Sequence, residues 1–165
     1  MHPTFVRQLD HANAKFGDIQ QVFMDFAVTQ CFSTSMKISF AMSRSAKEWS
    51  SPQTALTYLN LADTIPHRSE GESVLIDHLP EDTKRILDLG TGDGRLIRLI
   101  KENRPEIEAV AIDVSPTMLK SAREHFANDS KVKIIEHDFS QPLPEDLGYF
   151  DAVVSSFAIH HLRHE

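Results

Sequence analysis

The 165-residue sequence predicts an α/β fold: a parallel sheet with helices packed on it. Three observations carry this expectation. Four short segments rich in branched apolar residues read as strands, segments with one apolar helical face lie between them, and a glycine-rich turn joins the first strand to the helix after it. Regular alternation of strand and helix makes consecutive strands parallel, because each return passes through a crossover.

The chain divides near Trp49. Upstream, Phe16, Ile19, Val22, Phe23 and Phe26 recur at helical spacing and predict an amphipathic helix packed on the main domain. Met42 stands just ahead of the motif-bearing region, so residues 1–41 are expected to be an extension from an upstream start, outside the working fold. The expected division is a partly helical N-terminal extension over 1–48 and a domain over 49–165. Ser51-Pro52 supplies an N-cap and an N1 proline for one helix, and Ser69-Glu70-Gly71-Glu72 reads as a capping box opening a second. The strands follow at Arg85–Leu89, 109–113, 132–137 and 150–155. Arg95–Asn103 is the helix between the first two. The next, over 116–126, sets Met118, Leu119, Ala122 and Phe126 on one face. The proline-rich segment 141–149 leaves room only for a short turn or helix.

Composition narrows the function. Apolar content of 41% and charged content of 25% are those of one globular domain. A net charge of −7 argues against a nucleic-acid partner, which needs clustered Lys and Arg to displace counterions. Cys31 is the single cysteine, so no intrachain disulfide or Cys-based zinc site can form, and a reducing compartment follows. The apolar stretch 22–42 is interrupted by Asp25, Gln30 and Lys37 and falls short of a membrane span. A cytoplasmic protein without a membrane partner is expected.

Gly90-Thr91-Gly92-Asp93-Gly94 follows a strand and opens a helix, the context in which glycines allow a ligand close to the backbone. A tight strand-to-helix turn would use the same residues. Asp113 favours the ligand reading. It ends the second strand roughly 20 residues on, where a carboxylate accepts both hydroxyls of a ribose. Its rival role, capping the helix after Ser115-Pro116, is weaker because Ser115 is expected to fill it. Dinucleotide sites use G-x-G-x-x-G to seat a pyrophosphate, whereas here the third glycine falls one place earlier and Arg95 takes the sixth. A nicotinamide oxidoreductase is therefore disfavoured.

Four segments carry a family resemblance. Ile86-Leu87-Asp88-Leu89-Gly90-Thr91-Gly92-Asp93-Gly94 resembles motif I of class I S-adenosylmethionine-dependent methyltransferases. Ala111 to Leu119 resembles their second-strand motif, and Glu136-His137-Asp138-Phe139 their adenine-contacting third-strand end. Phe150 to Leu162 is similar to the fourth strand and following loop of small-molecule methyltransferases of the type 11, 12 and 25 groups. The resemblance implies S-adenosyl-L-methionine as cofactor, a small-molecule methyl acceptor and a Rossmann-like sheet.

Carried over by position, it implies that Asp88, Gly90 and Gly92 hold the methionine part and Asp113 the ribose, with Thr91 and Gly94 also in the cofactor site. Carboxylates suit a cationic sulfonium nucleoside better than the Lys or Arg a phosphate demands. Val114 and Met118 would flank the adenine, and Asp138 with the Phe139 amide would read its edge. Asp138 is alternatively a loop cap. Ser156 to His160 would lie beneath the sulfonium, with His160 as general base where the acceptor must lose a proton. A metal reading of His160, His161 and His164 lacks a completing Cys or carboxylate, and no metal is expected. Ile65-Pro66-His67-Arg68 falls where similar enzymes fold a lid, so His67 or Arg68 either touches ligand or lies in a solvated turn. Trp49 and Tyr58 are substrate wall or ordinary packing.

Similar enzymes continue with three more strands. The expected strand order is 3-2-1-4, truncated after the fourth strand, whose open edge would favour self-association. A fragment with impaired turnover is expected, and a non-catalytic cofactor-binding module is the alternative reading.

Overall fold

A computed structural model describes residues 4–8, 46–138 and 141–159. Its centre is a five-stranded sheet built from β1 (Thr4–Gln8), β2 (Arg85–Leu89), β3 (Glu108–Asp113), β4 (Val132–Glu136) and β5 (Ala152–Ser156), in the order β1-β5-β2-β3-β4. The four strands read from the sequence are parallel and stand in the expected order, with β2 between β3 and β5. The helices are α1 (Ala46–Trp49), α2 (Pro52–Leu61), α3 (Arg68–His78), α4 (Arg95–Asn103) and α5 (Pro116–His125), with short 3-10 turns at Ala62–Thr64 and Glu145–Leu147. The amphipathic helix expected over 16–26 lies outside the described residues.

One expectation is corrected at the sheet edge. β5 is not open: β1 runs antiparallel along it, pairing Thr4 with Ser156 and Gln8 with Ala152. A strand from the segment expected to stand apart thus satisfies backbone groups that an open edge would leave unpaired.

Period-2 alternation divides the strands between two cores. Ile86, Ala109, Ala111, Ala152 and Val154 face one side, where Leu75 and Leu79 at α3 and Leu96, Ile97 and Ile100 of α4 cover them. Phe126, just past α5, packs on the same core. Ile97 and Ile100 are fully buried, and each such side chain contributes about 1.5–3 kcal/mol of transfer free energy. Leu87, Leu89, Val110, Ile112 and Val153 face the other side, against Leu147 and the partly buried Leu143, Phe150 and Ile159. The proline-rich segment therefore does the work of a covering element without a full helix.

Alternation also aims the site. Asp88 stands two residues after Ile86, Asp113 two after Ala111, and Ser156 two after Val154. All three point to the α4 side at the C-terminal ends of adjacent strands, the end at which open α/β sheets bind ligands.

Helix starts differ in detail from the sequence reading. Pro52 does begin α2 behind an extended Ser51, but the Ser51 hydroxyl donates to Gln53 and not to a helix amide. The capping box is overturned. α3 begins at Arg68 behind His67, whose φ of 61° is left-handed, so Ser69 is already inside the helix and Glu72 is free for other partners. Asp151, read as part of a strand motif, instead accepts the backbone amides of Lys84 and Arg85 at 2.9 and 2.8 Å and fixes the start of β2.

Candidate functional site

The turn after β2 is held against β3 by the Ile112 carbonyl, which accepts the Gly90 and Thr91 amides at 2.8 and 2.9 Å. Gly92 and Gly94 carry φ of 58° and 83°, conformations that L side chains rarely adopt. Gly94 has a second constraint: a Cβ there would lie 2.5 Å from Phe126 Cε2. The third glycine is thus explained by contact with the end of α5. At Gly92 a Cβ would meet Met118 Sδ at 3.4 Å, so Met118 borders the same loop.

Asp113 joins the loop to the neighbouring strand. Its Oδ2 accepts the Gly92 amide and its Oδ1 the Ser115 amide, each at 2.8 Å. Burial pushes its carboxyl above the usual range, and the Ser115, Gly92 and Val114 amides offset part of that shift. The assignment of the capping role to Ser115 is corrected: its hydroxyl is buried without a hydrogen bond, and Asp113 satisfies the amide instead.

Asp88 is different. It is 1% exposed, and neither carboxylate oxygen has a hydrogen-bond partner. Burial pushes its pKa up to about 7; the nearby Thr91 hydroxyl works against the shift, while the Asp113 and Glu72 charges add to it. Thr91 Oγ1 and Ser156 Oγ are also buried and unpartnered among the described residues. Buried polar atoms are almost always satisfied, so this cluster at the strand ends has the hydrogen-bonding capacity to take a polar ligand. A cation carrying hydrogen-bond donors fits, since it would satisfy Asp88 and favour its ionised form. Ser155, one residue earlier on the opposite face, is by contrast satisfied, donating to the Leu89 carbonyl at 2.8 Å.

The α2–α3 hairpin closes one side. Arg68 is buried, with its guanidinium 5.8 Å from the Tyr58 ring centre and 5.7 Å from that of Phe157. Its Nη1 donates to Tyr58 Oη at 3.4 Å and to the Ala62 carbonyl at 3.3 Å. Burial raises the Tyr58 pKa against the opposing Arg68 charge. Tyr58 meets Trp49 edge-on at 5.5 Å. Of the two residues weighed in this segment, Arg68 is buried against Tyr58 and Phe157, while His67 is exposed and pairs with Glu70. Sequence reasoning missed Glu72 and Arg95. Glu72 is 1% exposed and accepts from Arg68 Nε at 2.9 Å and from Arg95 Nε at 3.0 and 3.2 Å. Arg95 also donates to Asp63 at 2.7 Å.

Val114 and Asp138 lie at the ends of β3 and β4, both half-buried. The Val114 carbonyl accepts from the Ser50 hydroxyl at 3.4 Å, tying the end of α1 to the site. The Asp138 carbonyl accepts the Gln141 amide at 2.9 Å. Phe139, His160, His161 and His164 lie outside the described residues. Among the described residues there is no cluster of three His, Cys, Asp or Glu able to hold a metal, and no helix long and apolar enough to cross a membrane.

A parallel sheet of this order, with a glycine loop and carboxylates at adjacent strand ends, defines a class I methyltransferase domain. Residues 86–165 match the family described as methyltransferase domain. It is 31% identical over 114 residues to the ribosomal RNA small subunit methyltransferase C of Shewanella loihica, covering 67% of this chain and 32% of that protein. It is 42% identical over 81 residues to the demethylmenaquinone methyltransferase of Thermus thermophilus, covering 48% of this chain and 36% of that protein. The fold is similar to that of the plantazolicin methyltransferase BpumL, solved in complex with SAH, with a TM-score of 0.51, 18% identity, and coverage of 81% of this chain and 48% of that one. The chain therefore spans about a third of these curated relatives, 32% and 36% of their lengths.

Proposed function

We propose that this chain binds S-adenosyl-L-methionine and serves as the donor-binding part of an enzyme that methylates a small-molecule acceptor by in-line displacement. The observation that carries the reading is the buried, unpartnered Asp88 carboxylate behind the glycine loop. Asp88 accepts from the cofactor ammonium, with Gly90, Thr91, Gly92 and Gly94 giving the methionine part close access to backbone. Asp113 takes the ribose hydroxyls, Val114 and Met118 flank the adenine, and Asp138 with the Phe139 amide reads its edge. Ser156, at the end of β5, would line the methyl-donor end of the site. His160 takes the proton when the acceptor has one to lose.

When bound, the cofactor supplies a sulfonium-activated methyl group and a good leaving group. The chain's own residues then have to orient and enclose, because an in-line displacement gains most from alignment and exclusion of water. The buried strand-end floor and the Trp49–Tyr58–Arg68 wall serve those ends. A ribosomal RNA acceptor is the second reading, favoured by the names of several relatives and opposed by the net charge of −7. On this reading residues 49–165 carry the donor site, with β1 completing their sheet, and the protein works in the cytoplasm.

Thermal unfolding with S-adenosylhomocysteine and, separately, NAD tests the donor assignment. Protection by S-adenosylhomocysteine alone, rising with the logarithm of its concentration, is expected. Protection by NAD alone, or by neither, contradicts it.

A further inference from the structure

Glu72 lies outside the glycine loop and both strand-end carboxylates, yet it is among the most deeply buried charged groups described. A buried carboxylate is costly to desolvate, and two cations repay that cost here. Those cations come from different elements. Arg68 is the first residue of α3, at the hairpin that closes over the site; Arg95 is the first residue of α4, directly after the glycine loop. The Glu72 carboxylate bridges them with Nε contacts of 2.9 Å to Arg68 and 3.0 Å to Arg95. Asp63, in the turn after α2, holds the far side of Arg95 at 2.7 Å. Arg68, so fixed, lies against Tyr58 from α2 and against Phe157, which leaves β5 with a left-handed φ of 58°.

We propose that Glu72 is a positioning residue for the cofactor site: its carboxylate locks Arg68 against Tyr58 and Phe157 and clamps the α2–α3 hairpin to the start of α4, holding the pocket wall closed over the nucleoside. The proposal rests on the donor-site reading above. Glu72 touches no ligand in it. Removing the carboxylate should weaken ligand binding by loosening Arg68, not by deleting a ligand contact.

The test is isothermal titration of S-adenosylhomocysteine into wild type, Glu72→Gln, Arg68→Gln and the double variant, each well below its own unfolding temperature. Glu72→Gln should raise Kd about tenfold, and the double variant should bind no more weakly than Arg68→Gln, because coupled residues are not additive. Unchanged affinity in a folded Glu72→Gln, or losses that multiply in the double variant, overturns the proposal. Hydrogen exchange of the wild-type chain keeps it testable should the variants not fold. Ligand must then slow exchange across residues 58–76, and no change there overturns it equally. A wild-type chain that binds no S-adenosylhomocysteine sinks the donor reading and this one together, whereas normal binding by Glu72→Gln sinks this one alone.

Discussion

The Asp113 carboxylate accepts the Gly92 amide at 2.8 Å, so the end of β3 sets the middle of the glycine loop that follows β2. Its second oxygen holds the Ser115 amide at the start of α5. Asp113 thus shapes the pocket before any ligand arrives.

Asp113→Ala should therefore fail twice. Hydrogen bonds to a charged group contribute about 1.5–3 kcal/mol each, so losing two to the ribose should weaken S-adenosylhomocysteine binding by about 100-fold or more. Two backbone amides also lose their acceptor, and chemical denaturation should report a destabilisation of about 2 kcal/mol or more.

Gly94→Ala should destabilise the fold by about 2–5 kcal/mol, the sum of a left-handed backbone penalty and overpacking. The steric part comes from Phe126 Cε2, 2.5 Å from the added carbon. Urea unfolding of Gly94→Ala with Phe126→Leu should recover that part only. A single variant as stable as wild type would remove the reason for the third glycine.

Asp88 gives the site a pH signature. Its folded pKa of about 7 lies above the ordinary carboxylate value of 3.8, so the ligand-free folded state holds its proton more tightly than the unfolded chain. This contribution to stability is full below the unfolded value and is lost as pH rises through the folded one. Asp88→Asn should thus flatten the fall in stability between pH 4 and 7, as read by denaturation at several pH values. Binding an ammonium favours the ionised carboxylate, so affinity for S-adenosylhomocysteine should rise toward pH 7 with release of a proton, measured by titration in buffers of different ionisation enthalpy. Affinity that falls over that window contradicts the role of Asp88.

Removing residues 1–8 strips β1 from β5 and exposes the backbone groups between Ala152 and Ser156. Light scattering should then show a larger apparent mass than for the intact chain. An unchanged mass would mean that β1 does not protect this edge.

The sequence carried the strands well because their signal is local: the runs at Arg85–Leu89 and Glu108–Asp113 are buried on both faces and flanked by turn residues. Asp88 and Asp113 were legible for a related reason, as polar residues inside or ending such runs. The Glu72 bridge was not. Arg95 lies 23 residues from Glu72, and the Ser-x-x-Glu spacing imitates a capping box, so a local rule pointed to the wrong partner. β1 was missed because Thr4–Gln8 is short and pairs with residues near the other end of the chain, a contact no window of sequence contains. The swap between Ser115 and Asp113 at the head of α5 turns on a side-chain rotamer, which residue type does not determine.

A crystal structure of the chain with S-adenosylhomocysteine tests the central assignment most directly. The expected result is both ribose hydroxyls on the Asp113 carboxylate, the amino group satisfied by Asp88, and the adenine against Met118. A nucleoside bound elsewhere, or an Asp113 carboxylate that leaves the ribose uncontacted, contradicts it.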